Sequence, residues 1–151
     1  MKNLPTIRVV AAVIAREATA SPGPGRGAGP GIEYLITQRR PAAALPLLWE
    51  FPGGRVEEGE SDARALAREI HYRLGVEVAV GQLISFVNHR YDHYVVDLYL
   101  YDCRIVGGDP EARAVHAFRW VQSADFDAYP FTPADESSMT ALLGLAELPH
   151  P

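Results

Sequence analysis

The chain has 151 residues, a length that suits one domain with a sizeable hydrophobic core. Hydrophobic residues make up 48% and charged residues 22%, which is ordinary for a globular protein. The formal charge of -5 argues against a protein that binds nucleic-acid polymers or membrane surfaces nonspecifically, but it allows a nucleotide in a local basic pocket. The single cysteine rules out an internal disulfide and fits a cytoplasmic location.

The first part of the chain predicts two strands separated by a segment rich in glycine and proline. Residues 7–15 are almost continuously apolar and β-rich, so we expect a central, buried strand. Residues 18–31 contain too many glycines and prolines for a regular element, and we interpret them as a flexible insertion, a solvated linker rather than a binding loop. Residues 32–38 predict the next strand, and Pro41 follows its end.

The middle of the chain predicts a helix that begins at Ser61 or Asp62 and ends at Leu74. The oxygens of Ser61 and Asp62 can accept the free amides of a first turn, and Gly75 is a typical helix terminator. Helical spacing predicts a buried stripe made of Ala63, Leu66, Ala67, Ile70 and Leu74.

The remainder predicts more strands and a closing helix. Residues 77–91 indicate one long strand or two strands joined at Gly81, and residues 93–106 alternate between apolar and polar positions. Residues 118–121 predict a short strand, and residues 133–145 predict a C-terminal helix. Periodicity therefore predicts a mixed α/β protein, with no internal repeat and no second domain within residues 1–151.

Residues 54–76 carry the most specific motif of the chain. Gly54 is followed six residues later by Glu60, then by Arg68-Glu69-Ile70 and by Gly75-Val76. This spacing resembles the Nudix box, G-x5-E-x7-R-E-U-x-E-E-x-G-U, in which U is aliphatic. Residues 49–53, Trp-Glu-Phe-Pro-Gly, are similar to the family's usual approach to the box. The resemblance implies an α/β/α sandwich on a mixed β-sheet.

The chain departs from this motif at two positions, which makes the box degenerate. The family's paired glutamates fall on Tyr72 and Arg73, and in the family those glutamates hold Mg²⁺ or Mn²⁺ together with the residue that matches Glu69. A phenol titrates near about 10 and an arginine is permanently cationic, so neither replaces a carboxylate ligand. Glu69 is the ligand that carries over intact, and the backbone carbonyl of Gly53 or Gly54 could supply another oxygen.

The resemblance is to the MutT-like and CTP-pyrophosphohydrolase-like branch of the family. It implies hydrolysis of a (deoxy)nucleoside triphosphate, or another nucleoside diphosphate derivative, at the pyrophosphate linkage with Mg²⁺ or Mn²⁺. Glu69 would be the catalytic carboxylate of the box helix, and Glu60 and Arg68 an ion pair that orients it. The alternative is a non-catalytic module that binds a nucleotide or a protein partner. The missing glutamates favour the second hypothesis, family membership favours the first, and an oligomer is compatible with both.

Two roles for Arg73 stay open at this point. Glu69 and Arg73 are four residues apart and share a helix face that looks back toward the turn at Gly53 and Gly54. The guanidinium of Arg73 could occupy the vacated metal position and bind phosphate oxygens directly, since its planar fork matches a phosphate. Alternatively, Arg73 pairs with Glu69 and closes the site.

A second resemblance concerns the base of the nucleotide. Residues 129–135 are similar to a segment in which MutT-type and CTP-pyrophosphohydrolase proteins place a base-reading Asn or Asp, and Asp135 falls on that position. An ionised carboxylate only accepts hydrogen bonds, so it would favour cytosine or guanine over uracil or thymine. Alternatively, Asp135 only caps the last helix. The resemblance further implies that Arg40 and Phe51 complete the base pocket and that Arg55 meets a phosphate.

Overall fold

The computed structural model describes residues 3–18 and 31–139. Its elements are β1 (Thr6–Glu17), β2 (Ile32–Gln38), β3 (Trp49–Glu50), β4 (Gly53–Arg55), α1 (Asp62–Leu74), β5 (Glu77–Arg90), β6 (Val95–Gly107), β7 (Ala117–Gln122) and a 3₁₀ helix (Ser123–Ala128). Residues 133–139 are helical. Most of the predicted insertion and the second half of the predicted C-terminal helix lie outside the described residues. No helix in the described ranges is both long and apolar enough to cross a membrane.

Strand β1 lies at the centre of a mixed sheet, as its apolar sequence predicted. It pairs in parallel with β6 from Thr6 to Ile14, and it pairs antiparallel with β2 and β4. In the described part of the chain the sheet has the order β3-β2-β1-β6-β5, with β7 paired to β2. Gly81 does not divide the long strand in two, because β5 stays paired with β6 across irregularities between Val80 and Ser85.

The two faces of the sheet bury separate hydrophobic clusters. On one face, the cluster contains three residues of α1 and three of β1, namely Leu66, Ile70, Leu74, Val10, Ala12 and Ile14. On the opposite face, the cluster contains Ala11, Val13, Leu98, Leu100, Phe126 and Ala134. Alternate side chains of one strand point to opposite faces, so β1 contributes to both clusters. These layers confirm the predicted α/β/α sandwich on a mixed sheet.

Helix α1 has the predicted bounds, but its buried stripe differs from the predicted one. The Ser61 side chain accepts the Arg64 amide at 3.2 Å, and Gly75 ends the helix with φ of 72°. Leu66, Ile70 and Leu74 are buried as predicted, but Ala63 is exposed and Ala65 is buried instead. Spacing gives the direction of a side chain around the helix axis, but not which turns of the helix reach the sheet.

Candidate active site

A cavity of about 250 Å³ opens where central β1 meets the Gly53–Gly54 turn and the start of the C-terminal helical segment. Valine, leucine and alanine side chains of β1 and β6 form an apolar part of its wall. Its charged lining residues are Arg39, Glu50, Arg55, Arg73 and Asp135. An apolar pocket with a few converging charged groups is the usual form of a small-molecule site.

The turn at Gly53 and Gly54 brings the cavity wall into contact with helix α1. A methyl group on Gly54 would come within 2.3 Å of the carboxyl carbon of Glu69. A methyl group on Gly53 would come within 1.9 Å of the Val10 carbonyl oxygen. Both positions need glycine because the backbone passes so close to its neighbours. Glu69 therefore lies directly against the turn, as predicted from its helix face.

Arg68 and Glu69 are the centre of an ion-pair network on and beside helix α1. Arg68 donates from Nε and Nη2 to the two oxygens of Glu60, at 2.8 and 2.9 Å. Its Nη1 donates to Oε1 of Glu69 at 2.7 Å, and Nε of Arg73 donates to Oε2 of Glu69 at 2.9 Å. Arg68 also donates to the Arg55 carbonyl oxygen at 2.9 Å. Each oxygen of Glu69 therefore already accepts a hydrogen bond from a guanidinium group.

The network keeps Glu60 and Arg68 charged. The hydrogen bonds from Arg68 and from the Glu57 amide lower the pKa of Glu60 to about 2. The carboxylates of Glu60 and Glu69 in turn raise the pKa of Arg68 above its ordinary value. The orienting ion pair that the box resemblance implied for Glu60 and Arg68 is thus formed, and it holds Glu69 through Arg68.

The residues of this region do not fit the divalent metal that the box resemblance implies. Hard cations such as Mg²⁺ need several oxygen ligands. Within residues 3–18 and 31–139, no three acidic, histidine or cysteine side chains are arranged to hold a metal ion. Glu69 is the box-helix carboxylate that remains, and both of its oxygens are paired with guanidinium groups. A metal ion here would share this carboxylate with two guanidinium groups, which would repel it.

The side chains of Tyr72 and Arg73 differ in whether they reach the cavity. Tyr72 is 63% exposed and is not among the residues that line the cavity. Arg73 lines the cavity, and its side chain is 25% exposed. Arg73 thus pairs with Glu69, one of the two roles that the sequence left open, and it also borders the cavity. Arg55, in β4, borders the cavity as well and is exposed.

Arg39, rather than the predicted Arg40, contributes a guanidinium to the cavity wall. Nη1 of Arg39 donates to both carboxylate oxygens of Glu50, at 3.0 and 3.2 Å. Arg40 instead donates to the Arg113 carbonyl oxygen at 2.8 Å and is absent from the cavity lining. The pairing of β2 with β3 places Thr37 opposite Glu50, and this register brings Arg39 to the Glu50 side chain. The sequence does not state this register.

Asp135 is a buried carboxylate that joins the C-terminal helical segment to the backbone at Phe51. Its Oδ1 accepts the Phe51 amide at 3.0 Å, and its Oδ2 accepts the Thr132 hydroxyl at 2.6 Å. Neither donor is an amide of the segment's own first turn, so Asp135 does more than cap a helix. Burial and the neighbouring Glu50 raise the pKa of Asp135 to about 7. Phe51 and Asp135 both line the cavity.

Two tyrosines form an aromatic wall that the sequence analysis did not single out. Tyr91 and Tyr94 lie in the connection between β5 and β6, and their rings stack with centroids 5.0 Å apart. The Tyr91 hydroxyl accepts the Ala134 amide at 3.3 Å, and burial raises the pKa of Tyr91. Both tyrosines line the cavity. Their sequence carries no signal for this role, because tertiary packing alone brings them next to residue 134.

Comparison with known proteins identifies the family. A NUDIX-domain family profile matches residues 29–141, which is most of the chain. The chain belongs to the Nudix family. A CTP pyrophosphohydrolase from Escherichia coli (strain K12) is 30% identical over 139 residues, covering 92% of this chain and 93% of that protein. A putative 8-oxo-dGTP diphosphatase 2 from Mycobacterium tuberculosis (strain ATCC 25618 / H37Rv) is 36% identical over 112 residues, covering 70% of this chain and 75% of that protein.

A solved structure agrees with this assignment. The solution structure of the E. coli ORF135 protein has a TM-score of 0.73 and 29% sequence identity, covering 95% of this chain and 93% of that chain. These matches confirm the MutT-like Nudix resemblance and the predicted fold. Nudix hydrolases generally use divalent metal ions.

Proposed function

We propose that this Nudix protein binds a (deoxy)nucleoside triphosphate, or another nucleoside diphosphate derivative, and hydrolyses it at the pyrophosphate linkage. One observation carries the proposal: a single cavity connects the box turn beside Glu69 with the buried pair Phe51 and Asp135. The names of the relatives, CTP pyrophosphohydrolase and 8-oxo-dGTP diphosphatase, support the reaction class.

The phosphates would bind at the end of the cavity next to the box. Arg55 and Arg73 border this end and offer guanidinium groups, which match phosphate oxygens in charge and shape. Each oxygen of Glu69 accepts one hydrogen bond from a guanidinium group and keeps a second lone pair, which can accept a hydrogen bond from water while Arg73 stays in place. Glu69 would orient a water molecule and accept its proton as the water attacks phosphorus. The bridging P–O bond breaks in the same step, and the phosphate group on its other side leaves with the bridging oxygen and the bonding electrons. Arg68 and Glu60 would hold Glu69 in position.

The base would bind at the other end, between aromatic side chains and Asp135. Phe51, Tyr91 and Tyr94 supply apolar and stacking surface. Above its raised pKa of about 7, ionised Asp135 would accept hydrogen bonds from the amino edge of cytosine or from the N1 and N2 donors of guanine, and it would disfavour uracil and thymine. Arg39 and Glu50 lie in the same wall and would bind polar groups of the base.

Mg²⁺ and Mn²⁺ are the cofactors that the family resemblance implies, and when bound they neutralise phosphate charge and activate water. The two substituted ligand positions do not support such an ion, so we expect turnover to be slow. In this proposal the arginines neutralise phosphate charge, and Glu69 is the base.

A substrate panel tests the proposal. Product release would be measured for CTP, dCTP, dGTP, 8-oxo-dGTP, UTP, dTTP and nucleoside diphosphate sugars, each with Mg²⁺, with Mn²⁺ and with EDTA. We expect slow hydrolysis of cytosine or guanine nucleotides, lost in Glu69→Gln. The matched control is Asp62→Asn, which makes the same chemical change on the same helix at a carboxylate that pairs with Arg8 and not with Arg68 or Arg73. Failure of every substrate would favour the non-catalytic module instead.

A further inference from the structure

We propose that Arg73 takes over the task of the missing metal: its guanidinium, with that of Arg55, binds the nucleotide's phosphate oxygens directly. Binding of the nucleotide then requires no divalent cation. This inference rests on the proposed function in that it uses the same cavity and the same class of ligand, but it concerns binding and not hydrolysis.

The hydrogen bonding of Arg73 leaves donors available for such a ligand. Its Nε is held by Oε2 of Glu69 at 2.9 Å, which fixes the side chain at the cavity edge. Across the described ranges, neither terminal nitrogen of Arg73 makes a hydrogen bond. The side chain of Arg55 likewise has no hydrogen-bond or ion-pair partner in that part of the chain, and it borders the same cavity. Two guanidinium groups with free N–H donors therefore flank one pocket.

The local charge favours an anion and disfavours a metal ion. Compared with the family's box, Tyr72 in place of glutamate removes one negative charge, and Arg73 in place of glutamate adds two positive units. The site is therefore three charge units more positive than the box it resembles. A divalent cation near Glu69 would lie beside Arg68 and Arg73 and would be repelled by both, whereas a diphosphate would be attracted.

The geometry also supports direct binding. A carboxylate on the Nε edge of a guanidinium leaves the terminal edge in the plane of the fork, where a phosphate can accept two parallel hydrogen bonds. Glu69 is itself fixed by Arg68 and by the close approach of Gly54, so Arg73 is anchored before any ligand arrives. An anchored side chain loses little conformational entropy on binding.

Isothermal titration calorimetry tests the inference with two probes. One is inorganic pyrophosphate, and the other is a CTP analogue with a methylene bridge between the α- and β-phosphorus atoms, which resists hydrolysis. We expect both to bind in EDTA with an affinity within about threefold of that in Mg²⁺. Arg73→Gln should weaken binding by about tenfold or more, equivalent to about 1.4 kcal/mol. Arg73→Lys should lose less, because it keeps the charge without the fork.

Arg64→Gln is the matched control, because Arg64 is an exposed arginine on the same helix and lies outside the cavity lining. Its affinity should equal that of the wild type, and circular dichroism should show that all variants are folded. If Arg73→Gln fails to fold, Arg55→Gln replaces it, with a loss of affinity expected in EDTA. Binding that strictly requires Mg²⁺, absence of binding by either probe, or unchanged affinity in the Arg73 variants would overturn the inference.

Binding and hydrolysis fail in different ways in these experiments. A protein that binds the CTP analogue in EDTA but releases no product from any nucleotide would overturn the proposed hydrolysis and leave the inference intact. If the protein hydrolyses CTP but binds the analogue only when Mg²⁺ is present, the inference would be overturned and the proposed function would stand.

Discussion

Helix α1 carries two arginine–carboxylate clusters that differ in how many guanidinium N–H donors are left without a hydrogen bond. At its first residue, Asp62 accepts from Nε and Nη2 of Arg8, both at 2.8 Å, and from the Tyr101 hydroxyl at 2.5 Å. The Arg8 guanidinium also lies over the Tyr99 ring, 3.9 Å from its centroid. One positive and one negative charge are balanced, and the Asp62 side chain is 13% exposed whereas that of Arg8 is 48% exposed.

In its second half, the same helix carries a larger cluster, in which Arg68 also lies 3.9 Å from a carboxylate oxygen of Glu57. Arg68 and Arg73 share the carboxylate of Glu69, and the second acid, Glu60, is engaged by Arg68. Arg55 adds a further positive charge beside the cavity. This comparison indicates that an arginine of an ion pair beside a pocket is a candidate ligand-binding residue when its N–H donors are unused. The Arg8–Asp62 pair lies outside the cavity that contains Arg73, and we interpret it as structural.

The largest expected effect separates the two clusters by activity. Glu69→Gln should lower turnover about 100-fold or more, because it removes the proposed general base and the anchor of Arg73. Asp62→Asn should leave turnover within about twofold, since Asp62 lies at the first residue of the helix and pairs with Arg8 instead of Arg73. Steady-state kinetics on the preferred nucleotide measures both. Equal losses in the two variants would contradict the functional division between the clusters.

The next effect concerns the carboxylate at the far end of the cavity and is a pH dependence of stability. The pKa of Asp135 is raised to about 7, so the folded state binds a proton that the unfolded state releases above pH of about 4. Its contribution to the free energy of unfolding is therefore largest at low pH and falls as pH rises toward about 7. Between pH 5 and 8 we expect the wild type to lose about 2 kcal/mol relative to Asp135→Asn.

Urea unfolding at several pH values measures this difference. Asp127→Asn is the control, because Asp127 is exposed and should show no such trend against the wild type. A constant difference between wild type and Asp135→Asn from pH 5 to 8 would show that Asp135 stays ionised in the folded protein.

A smaller effect tests whether the two missing glutamates limit turnover at the larger cluster. The double variant Tyr72→Glu, Arg73→Glu restores the family's two glutamates next to Glu69. We expect its turnover in Mg²⁺ to rise about tenfold, equivalent to about 1.4 kcal/mol, and the gain to disappear in EDTA. Arg64→Glu makes the same charge change as Arg73→Glu at an exposed position of the helix and should give no gain. A double variant no faster than the wild type would show that the missing glutamates are not the limit.

The smallest effect is expected on the free energy of unfolding, from a change in the Arg8–Asp62 cluster. Asp62→Asn should lower the free energy of unfolding by about 1 kcal/mol near neutral pH, because it weakens a partly exposed charged hydrogen bond. The hydrogen bond from Arg8 lowers the pKa of Asp62, so the stabilisation is present above the unfolded-state pKa and is lost as pH falls below about 4. Thermal melts from pH 3 to 7 measure it. Glu58→Gln, an exposed loop carboxylate, should show no comparable change.

Local features of this protein were predictable from the sequence because nearby residues encode them. The bounds of α1 follow from a serine cap and a terminal glycine within the helix's own neighbourhood. The alternation in β6 follows from the period of two, and Val96, Leu98 and Leu100 are buried as it indicated. The spacing of the box residues placed Glu69 against Gly54 and named the family. The short strands β3 and β4 escaped prediction, because two or three residues carry no periodicity.

Only the tertiary structure determines which side chains line the cavity and which groups they contact. Arg39 and not Arg40 reaches the cavity because β2 pairs with β3 in one particular register. Asp135 is buried and bonded to the amide of Phe51, 84 residues away, and this burial raises its pKa. Side-chain direction at a strand end and the loss of water around a carboxylate depend on what packs against them. Sequence spacing describes neighbours along the chain, whereas charge and burial at a site depend on neighbours in space.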